Sequence, residues 1–204
     1  MRLTATFYRR DDVLQISREL LGKVICTRSP DGFTSAVITE TEAYAGVNDR
    51  ASHAYGGRRT KRTEPMFLAG GIAYLYLCYG IHHLFNVVTA GEGTPHAVLV
   101  RAGLPREGEH LMLARRGKNK RDKTLLAGPG SLAKALGIST VMTGRSLLSK
   151  DLWLEDQGIA VAAASITSGP RVGVDYAGKD AALPYRFIAR LPGIDDTSKL
   201  NIGA

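Results

Sequence analysis

Apolar positions recur along the chain with two periods, and the switches between them predict its elements. Val13, Ile16, Leu20 and Leu21 share one stripe of a helix that starts at Asp11 or Asp12, and Gly22 stops it. Lys23–Thr27 and Thr34–Tyr44 read as strands around a Pro30-Asp31-Gly32 turn, so 23–44 is a predicted hairpin. The pattern breaks from Gly46 to Arg62, a glycine-rich, basic stretch whose length marks a functional or disordered loop. Strands are expected again at Ile72–Tyr79, ended by Gly80, at His83–Val88 and at Ala97–Ala102. Pro105 is expected to open a helix with Glu107 and Glu109 in its first turns, Arg115 and Arg116 in its last, and Gly117 as its stop, a polarity that suits the helix dipole. Residues 115–123 then carry six basic side chains in nine and read as an exposed loop. Ser131 is expected to cap a short helix through Leu136, with Gly137 as terminator. Short strands follow at 152–154, 159–162, 171–174 and 185–189. Without repeats, heptads or a linker, this pattern describes one α+β domain over residues 1–204, built on a largely antiparallel sheet with flanking helices.

Composition narrows the picture. A chain of 204 residues that is 44% hydrophobic can bury a core and fits one domain. Lys and Arg number 27 against 19 Asp and Glu, a formal charge of +8 that suits a polyanionic partner without proving one. The two cysteines, Cys26 and Cys78, imply no disulfide framework and fit a reducing, cytoplasmic setting. The N-terminus lacks the apolar run of a signal peptide, and no window approaches 18 consecutive apolar residues, so neither secretion nor membrane insertion is expected.

Two strands carry candidate chemistry. On an extended 39–44 segment, Glu40, Glu42 and Tyr44 share one face. That face reads either as a solvated strand surface or as a carboxylate that activates water beside an aromatic ring. On 72–80, Tyr74 and Tyr76 share a face, and Tyr79 stands at the strand end on the other. They read either as ordinary sheet packing or as a base-stacking surface with an aromatic wedge. Of the five histidines, at 53, 82, 83, 96 and 110, none stands at a recognised zinc spacing, so no metal and no cofactor is expected. Gly128-Pro129-Gly130-Ser131 departs from a dinucleotide fingerprint and reads as a turn and cap whose amides could hold a phosphate.

In this order and spacing, the segments resemble the alkyladenine (3-methyladenine) DNA glycosylase family, as a bacterial-type member. The resemblance begins at Arg18-Glu19-Leu20-Leu21-Gly22-Lys23 and is densest from Ile38 to Arg101: Glu40-Thr41-Glu42-Ala43-Tyr44, Ser52-His53-Ala54, Gly56-Gly57-Arg58, Met66-Phe67, the 74–80 strand and Asn86. It continues through Val98–Ala102, Ala127–Gly130 and Arg171-Val172-Gly173-Val174. Phe85 and Tyr185 depart from the pattern, and the 115–123 loop matches little of it. The resemblance implies a compact domain with a curved antiparallel sheet, a monomer that uses no metal and forms no Schiff base, and damaged double-stranded DNA as partner. By it, Glu42 activates water, and Arg101 holds that carboxylate and water together with a backbone carbonyl near Val174. Tyr44, His53 and Tyr76 sandwich the flipped base, Asn86 crowds the exocyclic amine of guanine, and Tyr79 fills the gap left in the duplex. The basic run Arg58, Arg59, Lys61 and Arg62 is expected to meet the DNA backbone. Two other readings stay in view. A non-catalytic nucleic-acid binder would release no base. A hydrolase of a small metabolite would lack a steep salt dependence.

Overall fold

The computed structural model describes residues 1–191; residues 192–204 of the expected domain lie outside that range. Four short helices are α1 (Ala5–Tyr8), α2 (Val13–Glu19), α3 (Glu109–Arg116) and α4 (Pro129–Leu136). Eight strands are β1 (Val24–Ser29), β2 (Gly32–Tyr44), β3 (Ala73–Cys78), β4 (His82–Thr89), β5 (His96–Glu107), β6 (Leu152–Glu155), β7 (Ile166–Gly169) and β8 (Arg186–Ala189). They form one curved, antiparallel sheet in the order β3-β4-β5-β2-β1-β6, with β7-β8 attached to β2. This is the expected α+β architecture.

The long strand β2 organises the molecule. One of its edges pairs with β5 along most of its length; the other pairs first with β1 at 32–37 and then with β8 at 40–42. Its two faces have different fates. Thr41 turns toward α2, where its hydroxyl donates to the Ser17 carbonyl at 2.9 Å and accepts from the Ser17 hydroxyl at 3.0 Å. Ile16 of α2, Leu20 at its C-terminal cap, Ile25 of β1 and Ile38 of β2 are fully buried in the main core. Beyond the register shift after Ile38, Thr41 and Ala43 face that core, so the alternate residues Glu40, Glu42 and Tyr44 face the other way.

Several expected boundaries move, each for a local reason. Asp12 caps α2 by accepting from the Gln15 amide at 2.9 Å, as anticipated. Pro105 does not open a helix: β5 runs through it to Glu107, and α3 starts only after Gly108, whose φ of 72° makes the corner. A Cβ there would stand 2.1 Å from the Phe33 carbonyl oxygen, so glycine is required. Ser131 is not the cap of α4; Gly128 takes that position, with Pro129 at the first helical residue. Residues 159–162 and 171–174 are not strands, whereas α1 and β7 were not foreseen. The 46–62 stretch is ordered by short 3-10 turns around Asp49, whose carboxylate accepts from the Ala45 and Ala51 amides, both at 3.0 Å.

The far end of α4 is pinned by side chains. Thr27 donates to the Leu136 carbonyl at 2.7 Å, and Arg115 donates to the Ala135 carbonyl at 3.1 Å. Both satisfy carbonyls that the helix itself leaves open. Arg115 is therefore a structural residue at the end of α3, not part of an exposed basic loop.

Candidate active site

Between β2 and β5 the ladder is irregular. Ile38 pairs with Gly103, Glu40 with Ala102, and Thr41 with Val100, so Thr39 and then Arg101 are passed over. Such bulges re-aim side chains. Arg101 lies between the two carboxylates of β2: its Nε donates to Glu40 Oε1 at 2.8 Å, and its Nη1 lies 3.3 Å from Glu42 Oε1. Arg186 on β8 adds a second donor to Glu40 Oε1 at 2.7 Å.

Glu42 is fully buried, and each of its oxygens is engaged. Oε1 accepts from the Val172 amide at 2.8 Å, and Oε2 accepts from the Tyr44 hydroxyl at 2.8 Å. Pairing and hydrogen bonding offset the large cost of removing a carboxylate from water. Burial and the nearby Glu42 charge drive the Tyr44 hydroxyl well above its ordinary pKa, so it stays protonated and donates.

The segment that delivers the Val172 amide is held by its neighbour. Arg171 has no exposed side-chain surface and donates to both oxygens of Asp49, to the Ala43 carbonyl at 2.9 Å and to the Asp180 carbonyl at 3.2 Å. Its guanidinium lies 4.8 Å from the Tyr44 ring and 5.2 Å from the Tyr185 ring. One cation thus ties the 46–62 stretch, β2 and the 171–174 turn together beside Glu42.

Next to this cluster opens a cavity of about 370 Å³, within the ~300–1,000 Å³ range of small-molecule sites. Tyr44, His53, Tyr74, Tyr76 and Asn86 line it, with Arg101 and Val172 toward Glu42 and the α4 N-terminus opposite. Glu42 itself lies behind this surface. His53 stands edge-on to Tyr76 at 4.6 Å, and its Nδ1 is 2.9 Å from the Tyr74 hydroxyl. Arg62 donates to His53 Nε2 at 3.3 Å, so the ring proton resides on Nδ1. Burial, and then the charges of Arg62 and Arg58, push the His53 pKa down to about 4. Asn86 donates to the Tyr74 carbonyl at 3.1 Å, which fixes its amide within the sheet.

At the cavity mouth the β3-β4 hairpin ends in a turn, and Tyr79 belongs to that turn, not to the strand. Tyr79 and Gly80 have φ of 51° and 73°, and the Ile81 amide closes on the Cys78 carbonyl at 3.2 Å. Tyr79 is 89% exposed and Ile81 is also largely exposed. A tyrosine in the left-handed region is uncommon and costs about 1–3 kcal/mol. Here that strained position presents a large apolar ring to solvent.

The expected site residues therefore separate. Arg101, Tyr44, His53, Tyr76 and Asn86 line one cavity, with Tyr79 at its rim and Glu42 bonded to Arg101, Tyr44 and the Val172 amide behind its surface. Val174 lines the cavity and packs against Ala51 and Ala177, but the backbone group bonded to Glu42 is the amide of Val172. Of the basic run, Arg59 is paired with Glu64 through two contacts of 2.9 and 2.7 Å, and Arg62 is turned onto His53 and Tyr76. Arg58 and Lys61 have no ion-pair partner among the described residues. Asp49, Arg171, Arg186 and Tyr176, which donates to the Ala51 carbonyl at 3.1 Å from the cavity rim, were not anticipated. Arg171 lay within the segment that carried the resemblance; nothing local marked the others. Among the described residues, no three His, Cys, Asp or Glu side chains gather in a way that could hold a metal, and no helix is long and apolar enough to cross a membrane.

The sequence profile of the methylpurine-DNA glycosylase (MPG) family matches residues 6–191. Three bacterial relatives carry the name "Putative 3-methyladenine DNA glycosylase". That of Chlamydia abortus is 45% identical over 190 residues, covering 93% of this chain and 98% of its own. That of Desulfitobacterium hafniense is 42% identical over 193 residues, covering 91% and 94%. That of Bacillus cereus is 45% identical over 199 residues, covering 92% and 95%.

Proposed function

Since the chain belongs to the methylpurine-DNA glycosylase family, we propose that it excises alkylated or deaminated purines from duplex DNA by hydrolysing the N-glycosidic bond of a flipped-out nucleotide. The observation that carries this reading is the fully buried Glu42 carboxylate, gripped by Arg101 and the Val172 amide behind an aromatic cavity.

A base stacked in a duplex is out of reach, so the nucleotide must leave the helix at a cost of a few kcal/mol. Tyr79, projecting from the hairpin, fills the vacancy and offsets part of that cost. The base enters the cavity between Tyr44 and the His53–Tyr76 pair, where Asn86 crowds a guanine amine. Its C1′ then faces the Arg101–Val172 side. Glu42 Oε2 becomes available to water when the Tyr44 hydroxyl releases it. Water gives a proton to Glu42 and its oxygen to C1′, and the base departs with the bonding electrons. A purine alkylated at N3 or N7 departs neutral and needs no acid. Arg101 holds the carboxylate, and a carbonyl of the 172–174 turn completes the water's shell. One carboxylate thus serves where most sugar hydrolases use two. No covalent intermediate forms, so there is no lyase step. Arg58 and Lys61 contact the DNA backbone.

The test is release of free purine from alkylated duplex. Wild type should release it, and Glu42→Gln should do so about 10²–10⁴-fold more slowly while still binding lesion duplex. Near-normal turnover by Glu42→Gln removes the assignment; wild type that binds without releasing base makes the protein a binder.

A further inference from the structure

Most cations beside the cavity are neutralised, and of those that are not, Arg62 is the one in contact with its aromatic lining. Arg101 and Arg186 share Glu40 and Glu42, and Arg171 is paired with Asp49. Arg62 has no ion-pair partner among the described residues, and it packs on His53 and Tyr76, two side chains that line the cavity. Its guanidinium is 5.2 Å from the Tyr76 ring centroid, and its Nη2 is 3.3 Å from His53 Nε2. His53 is uncharged, so neither of the side chains that Arg62 touches cancels its charge.

We propose that Arg62 is a specificity-determining residue that weights the pocket against cationic purines and toward neutral ones. The inference rests on the glycosylase reading and asks which lesions that site favours. Aromatic faces attract cations through the ring quadrupole. Tyr44 already carries the Arg171 guanidinium at 4.8 Å, and Tyr76 carries that of Arg62. An N3- or N7-alkylated purine, which bears a positive charge, therefore gains less from these rings than from free tyrosines, and it meets an unneutralised charge as well. A neutral base such as hypoxanthine keeps its stacking and meets no such repulsion. The hydrogen bond to Nε2 adds a second effect: it keeps the His53 proton on Nδ1, directed at Tyr74, so His53 offers the pocket no charge of its own. Arg62 is exposed, so its replacement spares the core, and solvent limits the effect to a modest factor.

The experiment compares wild type, Arg62→Met and Arg62→Lys on duplexes that each hold one 7-methylguanine, a cation, or one hypoxanthine, which is neutral. Single-turnover rates at saturating protein give the ratio of cationic to neutral excision, and circular dichroism confirms that each variant is folded. Arg62→Met should raise the ratio about 2- to 5-fold, the size of one exposed cation–π contact. Arg62→Lys, which keeps the charge, should stay close to wild type. If Arg62 only grips phosphate, Arg62→Met will weaken binding to both lesions and to undamaged duplex alike and leave the ratio unchanged, which overturns the proposal. Wild type that releases neither base overturns the glycosylase reading itself, and this inference with it.

Discussion

His53 is a ring nitrogen pair held uncharged by its surroundings, and that has a consequence for stability. In the folded chain, burial and the charges of Arg62 and Arg58 bring its pKa to about 4. In the unfolded chain an ordinary histidine takes its proton near 6.5. Between these values the unfolded state binds the extra proton, so stability from this residue is complete above pH 6.5 and is lost as pH falls toward 4. The full loss is on the order of 3 kcal/mol. His53→Gln should flatten this part of the curve, read as the wild-type-minus-variant difference in thermal midpoint between pH 7 and 4. A difference that does not change with pH would show that His53 is solvated in the folded protein. At this scale the sequence was informative about which residues meet and less so about how. Alternation along 39–44 correctly put Glu40, Glu42 and Tyr44 on one face. It could not show that Glu40 anchors Arg101 and Arg186. That role depends on the bulge that passes over Arg101, a feature of two strands rather than one.

Among the elements, the β3-β4 hairpin is the one whose shape argues for a task. Tyr74 and Tyr76 line the cavity, whereas Tyr79 stands in the turn and points into solvent. Removing its ring leaves Glu42, Arg101 and the cavity in place. The loss is the stacking that holds a duplex open, about 1–3 kcal/mol, or roughly 5- to 150-fold in the flipping equilibrium. Fluorescence of a 1,N6-ethenoadenine in duplex DNA should show less extrusion with Tyr79→Ala than with wild type, while Glu42→Gln still extrudes it. Equal extrusion by wild type and Tyr79→Ala would move the wedge elsewhere, and exposed Ile81 in the same turn would be the next residue to replace. Periodicity, read with its punctuation, identified this hairpin, α2 and the β1-β2 pair well because each is an apolar run or stripe bounded by a nearby glycine or turn. It failed at Pro105 because that proline continues a strand until Gly108 makes the corner. It failed at 171–174 because those residues are held by Arg171 and Asp49, a contact made across more than a hundred residues.

For the whole molecule, the +8 charge is less available than it looks. Arg101, Arg171 and Arg186 are spent inside, Arg59 is paired with Glu64, Lys118 with Asp122, and Arg121 with Glu109. Arg58, Lys61, Lys120 and Lys123 have no carboxylate partner among the described residues, and they lie in two loops. The 118–128 segment leads directly to Gly128, where the α4 N-terminus forms a wall of the cavity. A duplex seated over that mouth can therefore meet both loops. Each neutralised phosphate contributes about −0.9 to the slope of log affinity against log salt. About four contacts predict a slope near −3.6 for undamaged duplex. Engagement of every basic side chain in both loops would make it much steeper. Replacing Lys120 and Lys123 together by alanine should lower affinity for damaged and undamaged DNA equally and reduce the slope by about two. The excision rate at saturating protein should not change, because neither lysine lines the cavity. A slope that the double replacement leaves intact would put the duplex on the 58–62 side alone. A flat response in wild type would mean that the surplus charge serves no polyanion, and the small-metabolite reading would return.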